Sequence, residues 1–198
     1  MVEIGSSLDG RGGKIELVFM KKTLWRLAAF SFLVLPLYSS PIGGESIKAY
    51  FSPQGGCTEA IVKEVNAATN TVLVQAYSFT SAPIAKAIAD AKKRGLDVAV
   101  ILDKSQRGEK YSSADFFVHE GVPTFIDAVH RIAHNKVMVI DGNEVITGSF
   151  NFTKSAEESN AENLLVITHA QALAGQYAKN WKLHMAHSGE YKGRNSLN

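Results

Sequence analysis

The chain has 198 residues, 45% of them hydrophobic and 20% charged, which is enough for one domain with a proper core and too ordinary for a disordered or fibrous protein. Its formal net charge is +2, but five of the 21 basic and three of the 19 acidic residues lie in residues 1–44, so the remainder carries 16 of each. Global charge therefore gives no nucleic-acid affinity, and any such role has to come from a local patch.

Residues 1–19 are polar and patternless. Met20-Lys21-Lys22 then opens a basic segment, followed by a largely apolar run from Leu27 to Leu37 and small residues around Ser39, Ser40, Gly43 and Gly44. This order reads as a secretory signal peptide over residues 20–44, with Met20 a candidate start and residues 1–19 a non-native extension. The apolar run is short for a membrane span, and an uncleaved anchor is the alternative. Export predicts a periplasmic or secreted protein with no stable membrane association after cleavage. Cys57 is the single cysteine, so no disulfide forms within the chain, and a buried thiol is the expected state.

From residue 45 to residue 198 strands and helices alternate. Ile47 to Phe51 reads as a strand. Thr58 is expected to cap a helix running to about Ala68, and Thr71 to Tyr77 is rich in β-formers. Thr80 or Ser81 caps the next helix, whose apolar stripe is Ile84, Ala85, Ile88 and Ala91. Lys92-Lys93-Arg94-Gly95 fits its C-terminus, with cations near the negative dipole end and a glycine beyond. Val98 to Leu102 is a buried-type strand ending at Asp103. The segment Lys104 to Lys110, with three basic residues, is a candidate for a mobile loop near substrate. Ser112 or Ser113 caps a helix reaching Glu120-Gly121, and Val122 to Ile126 is a further strand. After a polar stretch from Phe152 to Ala161, Asn163 to Thr168 forms a strand. A closing helix then runs from Ala170 to about Met185, with Leu173, Tyr177, Trp181 and His184 on one side, and the tail from Ser188 is expected to be loose.

The segment on which function rests runs from His134 to Asn151. Val137 to Ile140 suits a buried strand, Asp141-Gly142-Asn143 a tight turn, and Glu144 to Thr147 the returning strand of a hairpin. Residues two apart on a strand share a face, roughly 6.6 Å from each other. His134 and Lys136 therefore point one way, as do Ser149 and Asn151, and the hairpin brings the two pairs together. An imidazole, with an ordinary pKa of about 6.5, serves as nucleophile or proton donor near neutral pH. The ammonium, hydroxyl and carboxamide offer donors for phosphate oxygens. Taken singly, each is more often an ordinary solvated side chain.

Together, His-x-Lys, four residues, Asp, six residues and Gly-Ser-x-Asn resemble the motif of the phospholipase D superfamily at every fixed position. Tyr50-Phe51-Ser52-Pro53, Ala76-Tyr77-Ser78-Phe79-Thr80 and Asn160-Ala161-Glu162-Asn163 extend the likeness over about residues 46 to 185, towards the small bacterial endonucleases of that superfamily. Phospholipases of the superfamily typically carry two motifs in a longer chain, whereas this chain carries one. Animal mitochondrial members often have a cysteine-containing zinc insert, which Cys57 alone cannot build.

Strands alternating with helices argue for an α/β domain with a mixed central sheet flanked by helices, because the motif hairpin is antiparallel while the earlier crossovers favour parallel pairing. The resemblance implies a metal-independent phosphodiesterase, no cofactor, and a nucleic-acid substrate, DNA or RNA. By it His134 is the nucleophile, Lys136 and Asn151 hold non-bridging oxygens, Ser149 supports them, and Glu162 orients the imidazole by accepting its Nδ1 proton. Asp141 belongs to the motif and is expected to brace the hairpin or pocket. The leaving alkoxide needs an acid, and His119, His130, His169, His184 and His187 stand in no second motif. That implies a homodimer in which the mate's His134 serves as acid. A phospholipid hydrolase is the enzymatic alternative, and a non-catalytic nucleic-acid-binding module the other.

Overall fold

The computed structural model describes residues 44–194. The expected leader, apart from Gly44, lies outside the described residues, as do the last four residues of the tail. No helix among the described residues is long and apolar enough to cross a membrane.

Eight strands form one mixed sheet in the order β1-β7-β6-β5-β2-β3-β4-β8. They are β1 (Ser46–Ser52), β2 (Thr71–Ala76), β3 (Asp97–Asp103), β4 (Thr124–Asp127), β5 (Lys136–Ile140), β6 (Glu144–Gly148), β7 (Glu162–Thr168) and β8 (Gly189–Glu190). The helical crossovers make β2, β3 and β4 parallel, and the tight turn makes β5 and β6 antiparallel. Antiparallel pairing of β2 with β5 joins the two halves at the middle of the sheet.

Strand alternation assigns the two faces. Met138, Ile140 and Ile146 point into the main core beneath α1 (Cys57–Ala67) and α2 (Ala82–Lys93), while Val137, Val139 and Val145 meet Ala174, Leu173 and Tyr177 of α5 (Gln171–His187) on the other face. The short helices α3 (Ala114–His119) and α4 (Lys154–Glu158) complete the fold.

Several details depart from what local sequence suggests. Helix α1 begins one residue before Thr58, and a distant carboxylate caps it: Glu157 accepts from the Gly56 amide (3.1 Å) and the Thr58 amide (2.7 Å). Gly95 does end the second helix, at φ 91°, but Arg94 beside it turns its guanidinium onto the carbonyls of Val65 and Ala68 at the end of α1. The segment after β3 is a 3-10 turn over Lys104–Arg107 capped by Asp103, with Gln106 buried and its Oε1 accepting from the Phe79 amide. The described part of the tail packs onto the fold. Gly189 and Glu190 pair with β4, and buried Tyr191 donates its hydroxyl proton to Asp115 (2.8 Å).

Candidate active site

The motif hairpin opens into a cleft of about 310 Å³ lined by His134, Lys136, Gly148, Ser149, Asn151 and Glu162. Five of the six side chains singled out in the sequence thus share one cleft, and Asp141 does not.

His134 is exposed and held from both sides in the chain. The Ala133 amide donates to buried Asp103 (2.7 Å), and the Asn135 carbonyl accepts from the Tyr77 amide (2.8 Å). The Tyr77 ring lies 4.6 Å from the imidazole, centre to centre, and 5.2 Å from Lys136 Nζ. Lys136 is buried and donates to the His134 carbonyl at 2.8 Å. Burial pushes its pKa down, partly opposed by the Glu162 carboxylate.

The second half of the cleft depends on Gly148, whose φ is 153°. A Cβ there would meet the Asn163 carbonyl oxygen at 2.3 Å, so only glycine lets β6 close on β7 at this point. The Asn163 carbonyl then accepts from both the Ser149 and Phe150 amides at 3.1 Å. Phe150 and Phe152 are fully buried, and alternation turns Ser149 and Asn151 the other way, into the cleft. Ser149 Oγ accepts from the Asn163 amide at 3.0 Å and its carboxamide at 3.2 Å, which leaves the hydroxyl proton directed elsewhere. Asn151 Oδ1 is buried with no hydrogen-bond partner.

Glu162 opens β7 beside this constellation and accepts from Asn160 Nδ2 at 3.3 Å. Among the described residues no hydrogen bond joins it to His134. Asp141 stands at the far end of β5 from Lys136, roughly 16 Å along the strand. Its two oxygens accept from the amides of Thr69, Asn70 and Thr71 and from the Thr69 hydroxyl, at 2.8–2.9 Å. Burial raises its pKa, and those donors outweigh burial and hold it low. It braces the turn that feeds β2.

Two groups of residues stand outside the sequence reading. Asp103 and Tyr77 flank His134, and the sequence marks both only as strand ends, Tyr77 also within Ala76-Tyr77-Ser78-Phe79-Thr80, with no role for either. His130, His184 and His187, which stand in no motif of the sequence, meet around Asp127 at the end of β4. Burial alone would raise the Asp127 pKa, but hydrogen bonds from His184, His187 and His130 and the Val129 amide hold it below the carboxylate range. The paired spacings Asp127-x-x-His130 and His184-x-x-His187 were the available signal.

Comparison with known proteins gives the family and the fold. The family model described as "Cardiolipin synthase, PLD-like domain" matches residues 61–184. The phospholipase D of Rickettsia bellii is 38% identical over 150 residues, covering 76% of this chain and 74% of that protein. The mitochondrial cardiolipin hydrolase of Chlamydomonas reinhardtii is 28% identical over 122 residues, 60% of this chain and 55% of the other. Among solved structures, Nuc from Salmonella typhimurium, a phospholipase D family member, superposes with a TM-score of 0.73 at 33% identity, covering 76% of this chain and all of that one (100%). NucT from Helicobacter pylori shares the fold at a TM-score of 0.69 and 22% identity, with 75% and 100% covered.

Proposed function

The chain belongs to the phospholipase D superfamily of phosphodiesterases, and from that premise we propose that it is an exported endonuclease acting on DNA or RNA through a phosphohistidine intermediate. The observation that carries the reading is the composition of the cleft. It combines one exposed imidazole, one buried ammonium, a hydroxyl, a carboxamide with an unpartnered oxygen and a carboxylate, and among the described residues no large apolar side chain lines it. A phosphodiester with polar groups on both sides suits such walls.

In the proposed reaction the His134 imidazole attacks phosphorus. A P–N bond forms, the P–O bond to the leaving alkoxide breaks, and an acid gives that oxygen its proton. Water then attacks phosphorus and gives its proton to the group that had served as acid, and the P–N bond breaks, which restores both that group and His134. Lys136, Asn151 and Ser149 line the same cleft and in this reading donate to the non-bridging oxygens. An incoming phosphate would offset the burial that depresses Lys136. Glu162 shares the cleft with His134, and in this reading its carboxylate accepts the imidazole's Nδ1 proton. Among the described residues no second imidazole lines the cleft. A homodimer with its two-fold axis at the cleft would supply one, nucleophile and acid then being a coupled pair of His134 residues.

A second reading, phospholipid hydrolysis, draws on the names of the rickettsial and algal relatives and on Phe51, 66% exposed on β1 opposite Asn163. Separate incubations with plasmid DNA, RNA, phosphatidylcholine vesicles and cardiolipin vesicles decide between them. Cleavage of nucleic acid without lipid turnover supports the endonuclease. Lipid turnover without nucleic-acid cleavage overturns it, and nucleic-acid binding without turnover would mark a non-catalytic module.

A further inference from the structure

Asp127 ends β4 with its side chain fully buried (0% exposed), and its ion-pair partners among the described residues are imidazoles alone. His184 Nδ1 lies 2.7 Å from Oδ2, His130 Nδ1 3.0 Å and His187 Nε2 3.3 Å. One such atom from each of the four residues can be chosen so that all lie within 4.8 Å of one another. None of the four lines the catalytic cleft. They come instead from the end of β4, the loop behind it and the last turn of α5.

We propose that Asp127, His130, His184 and His187 form a binding site for one divalent transition-metal ion, zinc by preference, that is structural rather than catalytic. The donor set selects the metal. Three nitrogens and one carboxylate oxygen suit zinc, whereas calcium and magnesium favour oxygen ligands throughout. Four protein ligands fill a tetrahedral zinc ion and leave no open position for a substrate. Zinc bonds of about 2.0–2.1 Å place tetrahedral ligand atoms about 3.4 Å apart, close to the present spacing of the carboxylate from its three nitrogens. The wider nitrogen pairs have to draw in. The side chains of His130 and His187 are 45% and 33% exposed, so both have room to rotate and they leave an entrance for the ion. The i,i+3 spacing puts His184 and His187 on one face of α5, and Asp127 with His130 forms the opposing pair.

The site would act on the loop that carries the nucleophile. His130 is four residues before His134, its carbonyl accepts from Lys104 Nζ (2.9 Å), and Ala133 is tied to Asp103. Metal at the cluster would add a link from this loop to the end of α5. Without metal the same residues make a hydrogen-bond hub, since a carboxylate has lone pairs enough for all three rings.

The test uses the full chain purified without a polyhistidine tag, stripped with EDTA and returned to chelator-free buffer. Titration with zinc chloride should saturate at one ion per chain. At a hundredfold excess over Kd the melting temperature should rise by about 5–10 °C. Cobalt chloride should give the visible bands of a tetrahedral Co²⁺ ion. His187→Gln, which retains a hydrogen-bond donor for Asp127, should weaken zinc binding at least about tenfold. His184→Ala/His187→Ala should abolish both the thermal increment and the cobalt bands. Should the double variant not fold, the wild-type titration and His187→Gln decide alone. Failure of the wild type to bind stoichiometric zinc, or zinc binding unaltered by His187→Gln, would overturn the proposal and leave the hydrogen-bond hub.

Discussion

Replacing Glu144 by glutamine should make the protein more stable above neutral pH and change little below pH 5. Glu144 opens β6 beside Asp141, and its Oε1 is buried with no partner. Burial, then the nearby Glu64 carboxylate, push its pKa from 4.5 up to about 7, with Lys63 opposing and Asp141 adding to the rise. The sign follows from linkage. A carboxyl whose pKa is higher folded than unfolded favours the folded state while protonated, so its contribution is present below about 4.5 and is lost as pH climbs through about 7. A displacement of about 2.5 pH units corresponds to an upper bound of about 3.4 kcal/mol. The side chain is only half-buried, and solvent screening reduces this to about 1–2 kcal/mol, or roughly 3–6 °C in melting temperature for a chain of this size. Thermal unfolding of wild type and Glu144→Gln at pH 5 and pH 9 isolates the effect, because every other group titrates in both. The difference in melting temperature between variant and wild type should grow by that amount at pH 9. Parallel pH dependence, within about 1 °C, would refute the placement of a half-buried, unpartnered carboxyl at the head of β6.

Nucleic-acid cleavage should persist in millimolar EDTA at temperatures well below unfolding, because the cleft offers nitrogen and hydroxyl donors and one carboxylate. Loss of turnover restored by added metal would contradict it. Glu162→Gln should lower turnover by about 10²-fold or more while DNA binding and melting temperature stay near wild type, and unchanged kinetics would demote Glu162 to a surface carboxylate. Amino-terminal sequencing of exported protein should find a mature chain beginning between Ser40 and Ser46, whereas full-length protein confined to the cytoplasm would exclude export.

The features legible in sequence were those set by short-range periodicity. The β5–β6 hairpin announces itself through Val137 to Ile140, Asp141-Gly142 and the alternation that buries Phe150 and Phe152 while turning Ser149 and Asn151 outward. The mixed sheet follows from crossovers on one side and a tight turn on the other. What stayed hidden depends on partners far apart in the chain. Glu157 caps α1 from 101 residues away, and His184 meets Asp127 across 57. The helical stripe placed His184 beside Trp181 without saying that a buried carboxylate waited there. Strand β8 has two residues, too few for any alternation to register. Glu162 and His134 share a cleft, but only the fold shows that they do so without a hydrogen bond in the single chain.

Subunit mixing tests the proposed shared site most directly. His134→Ala should be inactive as a homodimer. Unfolded and refolded with an equal amount of wild type, it should give about a quarter wild-type, half mixed and a quarter mutant dimers. A site that needs His134 from both copies retains about a quarter of the wild-type activity per total chain. A value of about one half, with free subunit exchange demonstrated, would show that each chain works alone and contradict the composite site.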